Sequence, residues 1–303
     1  GIIGGPPCQS YSIAGRIRDP NAMKNDYRNF LFESYIKWLK KIKPNFLIFE
    51  NVPGILSSKP GGLKITEVIK KSFFDAGYIV PNIDKKIVFN LADFGGPQNR
   101  KRLLIFGVNK KFRDAKNILN EFYLRLEKQF TKPSSVKKYI YNLPKLFPLT
   151  NPIKRSSHEQ CISDPLHYPR FHNKRDINIF RMLAKDSSSK NPVYNIKKLK
   201  ELYTNKTGKI ANVHKYYVLK WEEPSNLIPA HLYKDGLRHI HPDYEQARTI
   251  TPREAARLQT FPDTFKFDAP RTEIYKMIGN SVAPLFANKI AITLKSMGGN
   301  LGG

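Results

Sequence analysis

Cysteine is nearly absent: the 303 residues contain two, Cys8 and Cys161. That argues against a disulfide framework and fits a reducing compartment. The seven histidines are scattered, and no cluster of Cys and His has zinc spacing, so no metal is expected. No apolar run is long enough to span a bilayer. No signal-peptide-like stretch opens the sequence, and no internal repeat is visible. Acidic residues are also in short supply. Twenty-five Asp and Glu stand against 52 Lys and Arg, a formal net charge of +27. A field of that sign favours a polyanion, either nucleic acid or an anionic membrane surface. The bland alternative is a Lys- and Asn-rich composition whose lysines only solvate the surface.

What is present is organised around the first stretch, Gly4-Gly5-Pro6-Pro7-Cys8-Gln9-Ser10. Gly1-Ile2-Ile3 reads as the end of a buried strand, so the natural start of a fold is not expected at Gly1. Two glycines and two prolines then force a stiff, abrupt exit. Cys8 is expected at the carboxyl end of that strand, where open α/β sheets bind ligands. A thiol fixed there suits a nucleophile; a small buried apolar residue is the other reading. The basic, Ser-containing segment Gln9–Arg28 follows neither hydrophobic period and reads as a loop.

Helical spacing recurs from about Asn29 to Lys43, and Pro44 stops it. Phe46-Leu47-Ile48-Phe49 has the continuous apolar character of a strand buried on both faces. It ends in Glu50-Asn51-Val52. A carboxylate at that tip shares the sheet edge of Cys8, with room for one crossover helix between them. A second helix is expected over about 63–76, closed by Gly77. Strand-like segments follow near 78–80 and 86–89, then Gln98-Asn99-Arg100-Lys101-Arg102 and a buried strand over 103–108. This alternation indicates an α/β domain.

From about 110 to 245 the texture turns Lys-, Asn- and Tyr-rich and is broken by prolines. Periodicity is weak, and an irregular second domain is expected. Its mixture of basic and aromatic residues suits phosphates and bases. Regularity returns at Thr251-Pro252-Arg253-Glu254, a capping box with Pro at the first helical position. Ile278-Gly279-Asn280-Ser281-Val282-Ala283-Pro284 is expected to open the last helix, which runs to about Ser296, and its Gly-Asn-Ser to offer free N–H groups to an anion.

Six elements, in order, resemble the cytosine-5 DNA methyltransferase family of bacterial restriction-modification type. They are Pro6-Pro7-Cys8-Gln9-Ser10, Asp26–Phe32, Glu50-Asn51-Val52, Gln98–Arg102, the long block Arg248–Asp263, and Gly279–Val282. The resemblance implies a Rossmann-like, S-adenosylmethionine-dependent α/β sheet over residues 1–109. It implies a smaller, irregular target-recognition domain over 110–245 and a return to the catalytic domain over 246–303. The family's opening strand and Phe-x-Gly-x-Gly loop, which hold S-adenosylmethionine, have no counterpart here. N-terminal strands are thus expected to be missing. Truncation, a degraded gene and one half of a two-chain enzyme are the alternatives left open. A second chain supplying the absent motif would be a partner in the last case.

The implied reaction is methyl transfer from S-adenosylmethionine to carbon 5 of a flipped cytosine in duplex DNA. Carbon 5 is too electron-poor to react unaided, and a thiolate added at carbon 6 makes it nucleophilic. Cys8 would be that thiolate, with Arg100 and Arg102 as cations favouring it. Glu50 would serve ring nitrogen 3 as an acid, and Arg102 the cytosine carbonyl oxygen. A salt bridge between these arginines and Glu50, or phosphate contact, is the structural alternative. Pro7, Leu31, Asn280, Ser281 and Val282 match positions lining the cofactor pocket. Ser12, Arg16, Arg18 and Arg28 would lie near DNA phosphates. The expected setting is the bacterial cytoplasm, at the nucleoid. An RNA cytosine methyltransferase is the nearest competing reading, disfavoured by the long insert and the lack of a Cys-Phe-Thr triplet. A non-catalytic DNA-binding remnant is the other.

Overall fold

The structure, a computed structural model, describes residues 1–6, 32–59, 62–153, 155–210, 214–234 and 236–299. The chain divides into two compact units. The first comprises Gly1–Asn90, Lys101–Phe130 and Asn288–Gly303, and the second Leu91–Arg100 and Thr131–Ala287.

The first unit is mixed α/β. In chain order it holds β1 (Ile2–Gly4), α1 (Phe32–Ile42), β2 (Phe46–Asn51), α2 (Ile65–Asp75), β3 (Tyr78–Ile79), β4 (Val88–Asn90), β5 (Lys101–Asn109) and α3 (Ala115–Glu127). β2 sits between β1, which runs parallel to it, and β5, which runs antiparallel. β3 and β4 share the far side of β5, both antiparallel to it. Leu47, Ile48 and Phe49 are buried, as the unbroken apolar run of β2 requires.

Helix α1 buries Phe32, Tyr35, Ile36 and Leu39, one stripe at helical spacing. The Tyr35 hydroxyl lies within donating distance of the carbonyls of Ile2 (3.0 Å) and Ile48 (2.9 Å), bridging β1 and β2. Its ring crosses Gly4, where a Cβ would lie 2.7 Å away. On the other side of the sheet's centre, β4 pairs with Lys101–Leu103 and β3 with Val108–Asn109. The backbone between those stretches is served by a side chain. The Tyr123 hydroxyl, from α3, accepts from Phe106 N (2.9 Å) and donates to Leu104 O (3.1 Å).

The second unit contains α4 (Val136–Ile140), β6 (Pro148–Ile153), β7 (Ser156–His158), α5 (Lys174–Ser187), α6 (Ile196–Thr207), α7 (Pro252–Leu258) and α8 (Arg271–Asn280). One core gathers Val136, Leu219, Ile228, Leu258, Tyr275 and their neighbours, and a second gathers Ile177, Phe180, Leu183 and Tyr216. The last helix, α9 (Pro284–Ser296), starts in this unit and belongs to the first from Asn288 onward. There it is held to α3 by Gln129, whose amide donates to Lys289 O and Thr293 Oγ1.

Three expectations change. Residues 85–87 are a 3-10 turn rather than strand, because Asp84 accepts from Lys86 N at 2.7 Å and caps it; the strand begins at Val88. The supposedly irregular stretch after 110 opens with α3, whose buried Ala115, Ile118, Leu119, Phe122 and Leu126 form one helical stripe. Within Ile278–Pro284 the last helix opens only at Pro284, and it ends at Ser296 as expected. Gly279 and Asn280 end α8, Ser281 N donates back to Met277 O at 3.1 Å, and Pro284 begins α9. Proline lacks the N–H a continuing helix would need, and it fits a first turn. The expected anion cradle therefore does not form there.

Removing the Tyr123 hydroxyl should leave one buried N–H and one carbonyl without their partner. Tyr123→Phe is expected to lower the unfolding free energy by about 1–3 kcal/mol in urea titrations.

Candidate active site

At the carboxyl edge of β1 and β2 the first unit brings three segments together. Parallel register pairs Gly4 with Phe49, so Gly5 leaves β1 beside Glu50. A Cβ on Gly5 would lie 2.9 Å from Glu50 Oε2; only glycine lets the carboxylate sit that close. β5 runs the opposite way, so its start lies at the same edge, and Arg102 reaches across. Its Nε stands 2.7 Å from Glu50 Oε1, with side chains only 11% and 18% exposed respectively. Arg102 Nη1 also donates to Lys101 O at 2.9 Å. Next to Glu50, buried Asn51 turns its Oδ1 back to accept from Val52 N at 2.8 Å, fixing the exit from β2. The edge thus presents a carboxylate with one oxygen on a guanidinium and the other toward the chain leaving β1.

In the second unit a buried polar network fixes the segment 279–281. Arg100 donates to the carbonyls of Ile228 (3.2 Å), Gly279 (2.8 Å) and Ser281 (2.8 Å). Gln98 donates to Leu258 O (3.0 Å) and Gln259 Oε1 (2.8 Å) and accepts from Ile228 N (3.0 Å). Gln259 in turn donates to Ser281 O and Oγ. Gly279 packs against the backbone of Pro229–Ala230, where a Cβ would lie 2.3 Å from Ala230 N. Asn280 is exposed beyond this anchor, and Ser281 and Val282 are half-buried.

A second network surrounds Arg248, which is fully buried. It donates to both oxygens of Glu254 at 2.7 Å, while Gln246 Oε1 accepts from it at 2.6 Å. Burial opposes the charge on Glu254, but Arg248 and His241 hold its carboxyl well below the usual carboxylate range. The same burial, reinforced by Arg248, pushes His158 down to about 4 and His241 down to about 3. His172 is pushed to about 3 and His239 to about 4, burial again leading. Neutral rings suit their bonds: His158 Nε2 donates to Gln246 O at 2.9 Å, and His172 Nε2 accepts from Thr249 N at 3.3 Å.

A family model described as C-5 cytosine-specific DNA methylase matches residues 1–296. The chain belongs to the C-5 cytosine-specific DNA methylase family. Type II methyltransferase M.Bpa9945I of Bacillus paralicheniformis is 36% identical to it, over 98% of this chain and 70% of that protein. Type II methyltransferase M1.HphI of Haemophilus parahaemolyticus is 31% identical, over 99% and 69%. A crystal structure of a DNA modification methyltransferase encoded within an E. coli prophage matches with a TM-score of 0.58 at 25% identity, over 99% of this chain and 79% of that one. The S. pombe Dnmt2 methyltransferase shares the fold, with a TM-score of 0.53 at 16% identity, over 98% and 78%. Enzymes of the family are DNA cytosine-5 methyltransferases that take the methyl group from S-adenosylmethionine and act through a covalent adduct to a flipped base.

Of the site residues read from the sequence of this C-5 methylase, the structure brings Glu50 and Arg102 together. The salt bridge offered as the alternative role of Arg102 is therefore present. Arg100 donates to three carbonyls, those of Ile228, Gly279 and Ser281. Asn280, Ser281 and Val282 sit on the anchored turn between α8 and α9. Cys8, Pro7, Leu31, Ser12, Arg16, Arg18 and Arg28 lie outside the described residues, as does the whole stretch 9–28 that the sequence reads as a loop. Gly5, Gln98 and Gln259 were not singled out by role. Gln98 and Gln259 lay within quoted motifs, but their pairing spans 161 residues and no local pattern signals it.

Two outcomes follow. In the unfolded chain each histidine titrates near 6.5. Below that pH the unfolded state binds protons that the folded state refuses, so stability falls as pH drops from about 6.5 toward the depressed folded values, and these rings contribute nothing above it. Urea unfolding should lose at least about 1 kcal/mol between pH 6.5 and 5.5, before the lowered carboxylates begin to protonate. Gly5→Ala should displace Glu50 and cut methyl transfer at least about tenfold with the melting temperature little changed, as expected when reacting groups are misplaced by a fraction of an ångström to an ångström.

Proposed function

We propose that Cys8, Glu50 and Arg102 form the reacting centre of a DNA cytosine-5 methyltransferase acting on duplex DNA. The observation that carries this reading is the edge where Gly5, Glu50 and Arg102 meet. Cys8 is three residues beyond Gly5, so covalent geometry keeps its Cα within about 10 Å of that glycine.

Thiolate addition to carbon 6 of cytosine moves the electron pair of the 5,6 double bond toward carbon 5. Negative charge then develops over the ring, and a proton delivered at nitrogen 3 neutralises it. Glu50 is suited to that transfer because Arg102 fixes one of its oxygens and leaves the other facing the exit of β1. The guanidinium of Arg102, beside that carboxylate, suits the carbonyl oxygen at carbon 2. Once carbon 5 carries the methyl group, loss of its proton to a base and expulsion of the Cys8 thiolate from carbon 6 restore the 5,6 double bond, and the proton on nitrogen 3 returns to the Glu50 carboxylate.

S-adenosylmethionine, when bound, supplies an electrophilic methyl group. Asn280, Ser281 and Val282 fit part of its binding surface: an exposed amide able to donate and accept, with a half-buried hydroxyl and apolar side chain, on a turn pinned by Arg100 and Gln259. Pro7 and Leu31 are proposed to complete it. Ser12, Arg16, Arg18 and Arg28 are proposed to grip phosphates beside the flipped base, and residues 110–245 to carry target recognition. The Type II relatives make modification within a restriction-modification system, at the bacterial nucleoid, the expected setting.

The test is transfer of labelled methyl to duplex DNA by the protein with whatever flanking segments its gene encodes. Cys8→Ser should abolish transfer and leave DNA binding intact. Glu50→Gln should slow turnover by about two to four powers of ten. Undiminished transfer by Cys8→Ser, or transfer to RNA but not to DNA, would overturn the assignment.

A further inference from the structure

The antiparallel helices α5 and α6 carry far more positive charge than their fold uses. Residues 174–210 hold ten Lys and Arg against three acids, a net +7 in 37 residues, where the whole chain has +27 in 303. That is about twice the average density, so a uniformly basic composition does not explain it.

The hairpin's own stability is accounted for without most of these cations. Asn173 caps α5 by accepting from Asp176 N at 2.9 Å, and Asn195 caps α6 by accepting from Lys198 N at 3.1 Å. Gly208, at φ +68°, ends α6 in the left-handed conformation. Between the helices, Asp186 accepts from Val193 N (2.8 Å) and Tyr194 N (3.1 Å). Arg175 pairs with Asp176 at 3.0 Å and donates to Lys206 O at 3.1 Å, joining the start of α5 to the end of α6. Ile177, Phe180 and Leu183 form the inner face, against which Leu199, Leu202 and Tyr203 pack.

Two of the three acids are thereby engaged internally, which leaves Glu201. Lys185, Lys190, Lys197, Lys198 and Lys206 are exposed and make no ion pair among the described residues; half-buried Lys200 makes none either. Lys197 and Lys198 even occupy the first turn of α6, which contains no acid. Cations there oppose the helix dipole and weaken the helix. The sequence keeps charge at positions where folding gains nothing from it, the mark of a surface selected for something else.

We propose that the α5–α6 hairpin is a sequence-independent clamp on the phosphate backbone of the duplex DNA substrate. This rests on the reading of duplex DNA as substrate. Lysine suits such a clamp, because a flexible point charge neutralises phosphates without demanding the planar geometry that base edges reward. Lys197, Lys198 and Lys200 lie within one turn of α6 and an arc of about 160°, and each strand of duplex DNA offers a phosphate about every 3.4 Å along its axis, so long lysine side chains there can meet several.

The test measures equilibrium binding of the full chain to two duplexes of unrelated sequence across a range of salt concentrations. The variant Lys197→Gln/Lys198→Gln/Lys200→Gln is compared with Lys37→Gln/Lys116→Gln/Lys128→Gln, which removes equal charge from the first unit. The hairpin variant should weaken both duplexes by the same factor. Its slope of log binding constant against log salt should be shallower by about 2–3, near 0.9 per lost contact. The control should keep the wild-type slope. Arginine at the three hairpin positions should restore binding, which separates lost charge from misfolding. Equal slopes for the two glutamine variants, or a loss confined to one duplex, would overturn the clamp. Failure of the underlying reading looks different: the unaltered chain would then neither bind nor methylate duplex DNA.

Discussion

A single strand with unlike neighbours governs the first unit. β2 runs with β1 and against β5, and that opposition is what carries a carboxylate, a strand exit and an arginine to one edge. The arrangement holds only in one register, because a slip by one residue turns every side chain to the opposite face. Several features enforce it. Gly107 lies opposite Leu47, and a Cβ there would meet Leu47 Cγ and Val80 Cγ1, each at 2.8 Å. Its bare backbone makes the notch the leucine fills. Tyr35 ties Ile2 to Ile48 from above. Glu50 is therefore placed by packing several residues away rather than by its own contacts alone.

The second unit solves a different problem. It has little sheet, and much of its order comes from hydrogen-bonded networks of buried polar groups. Arg248 is the extreme case: a fully buried guanidinium acceptable only because Glu254, Gln246 and Thr249 surround it with acceptors. Such networks contribute specificity as much as stability, since any alternative packing leaves a charge or a donor stranded. The neutral histidines follow the same logic. Each gives up the option of charge for a fixed bond to backbone or neighbour, and the unit becomes sensitive to acid as a result.

Local signals were legible where they act locally. The capping box read at Thr251–Glu254 is present with both of its bonds, Glu254 N to Thr251 Oγ1 at 3.2 Å and Thr251 N to Glu254 Oε2 at 2.8 Å. The same Glu254 also receives Arg248, and nothing in the capping pattern announces that second duty. The apolar run of β2 and the carboxylate at its tip were visible; the oxygen-by-oxygen division of Glu50 between Arg102 and Gly5 was not, because it depends on the antiparallel course of β5. Gly279 and Asn280 were misread as a helix start. Glycine before a small polar residue serves either end of a helix, and the deciding contacts, from Arg100 and against Ala230, come from distant parts of the chain. Helix α3 was hidden for a plainer reason: its apolar stripe is interrupted by the same Lys and Asn residues that fill the irregular stretch after it.

The hydroxyl of Tyr123 has an evolutionary consequence. By serving the backbone of Leu104 and Phe106 it does the work of a strand segment, so β3 and β4 need not be one continuous ribbon along β5. Their registers are uncoupled. The connection over residues 80–87 is anchored by buried Val80, Ile83 and Ile87, so a change of length tolerated there would fall between those anchors and leave Arg102 in place.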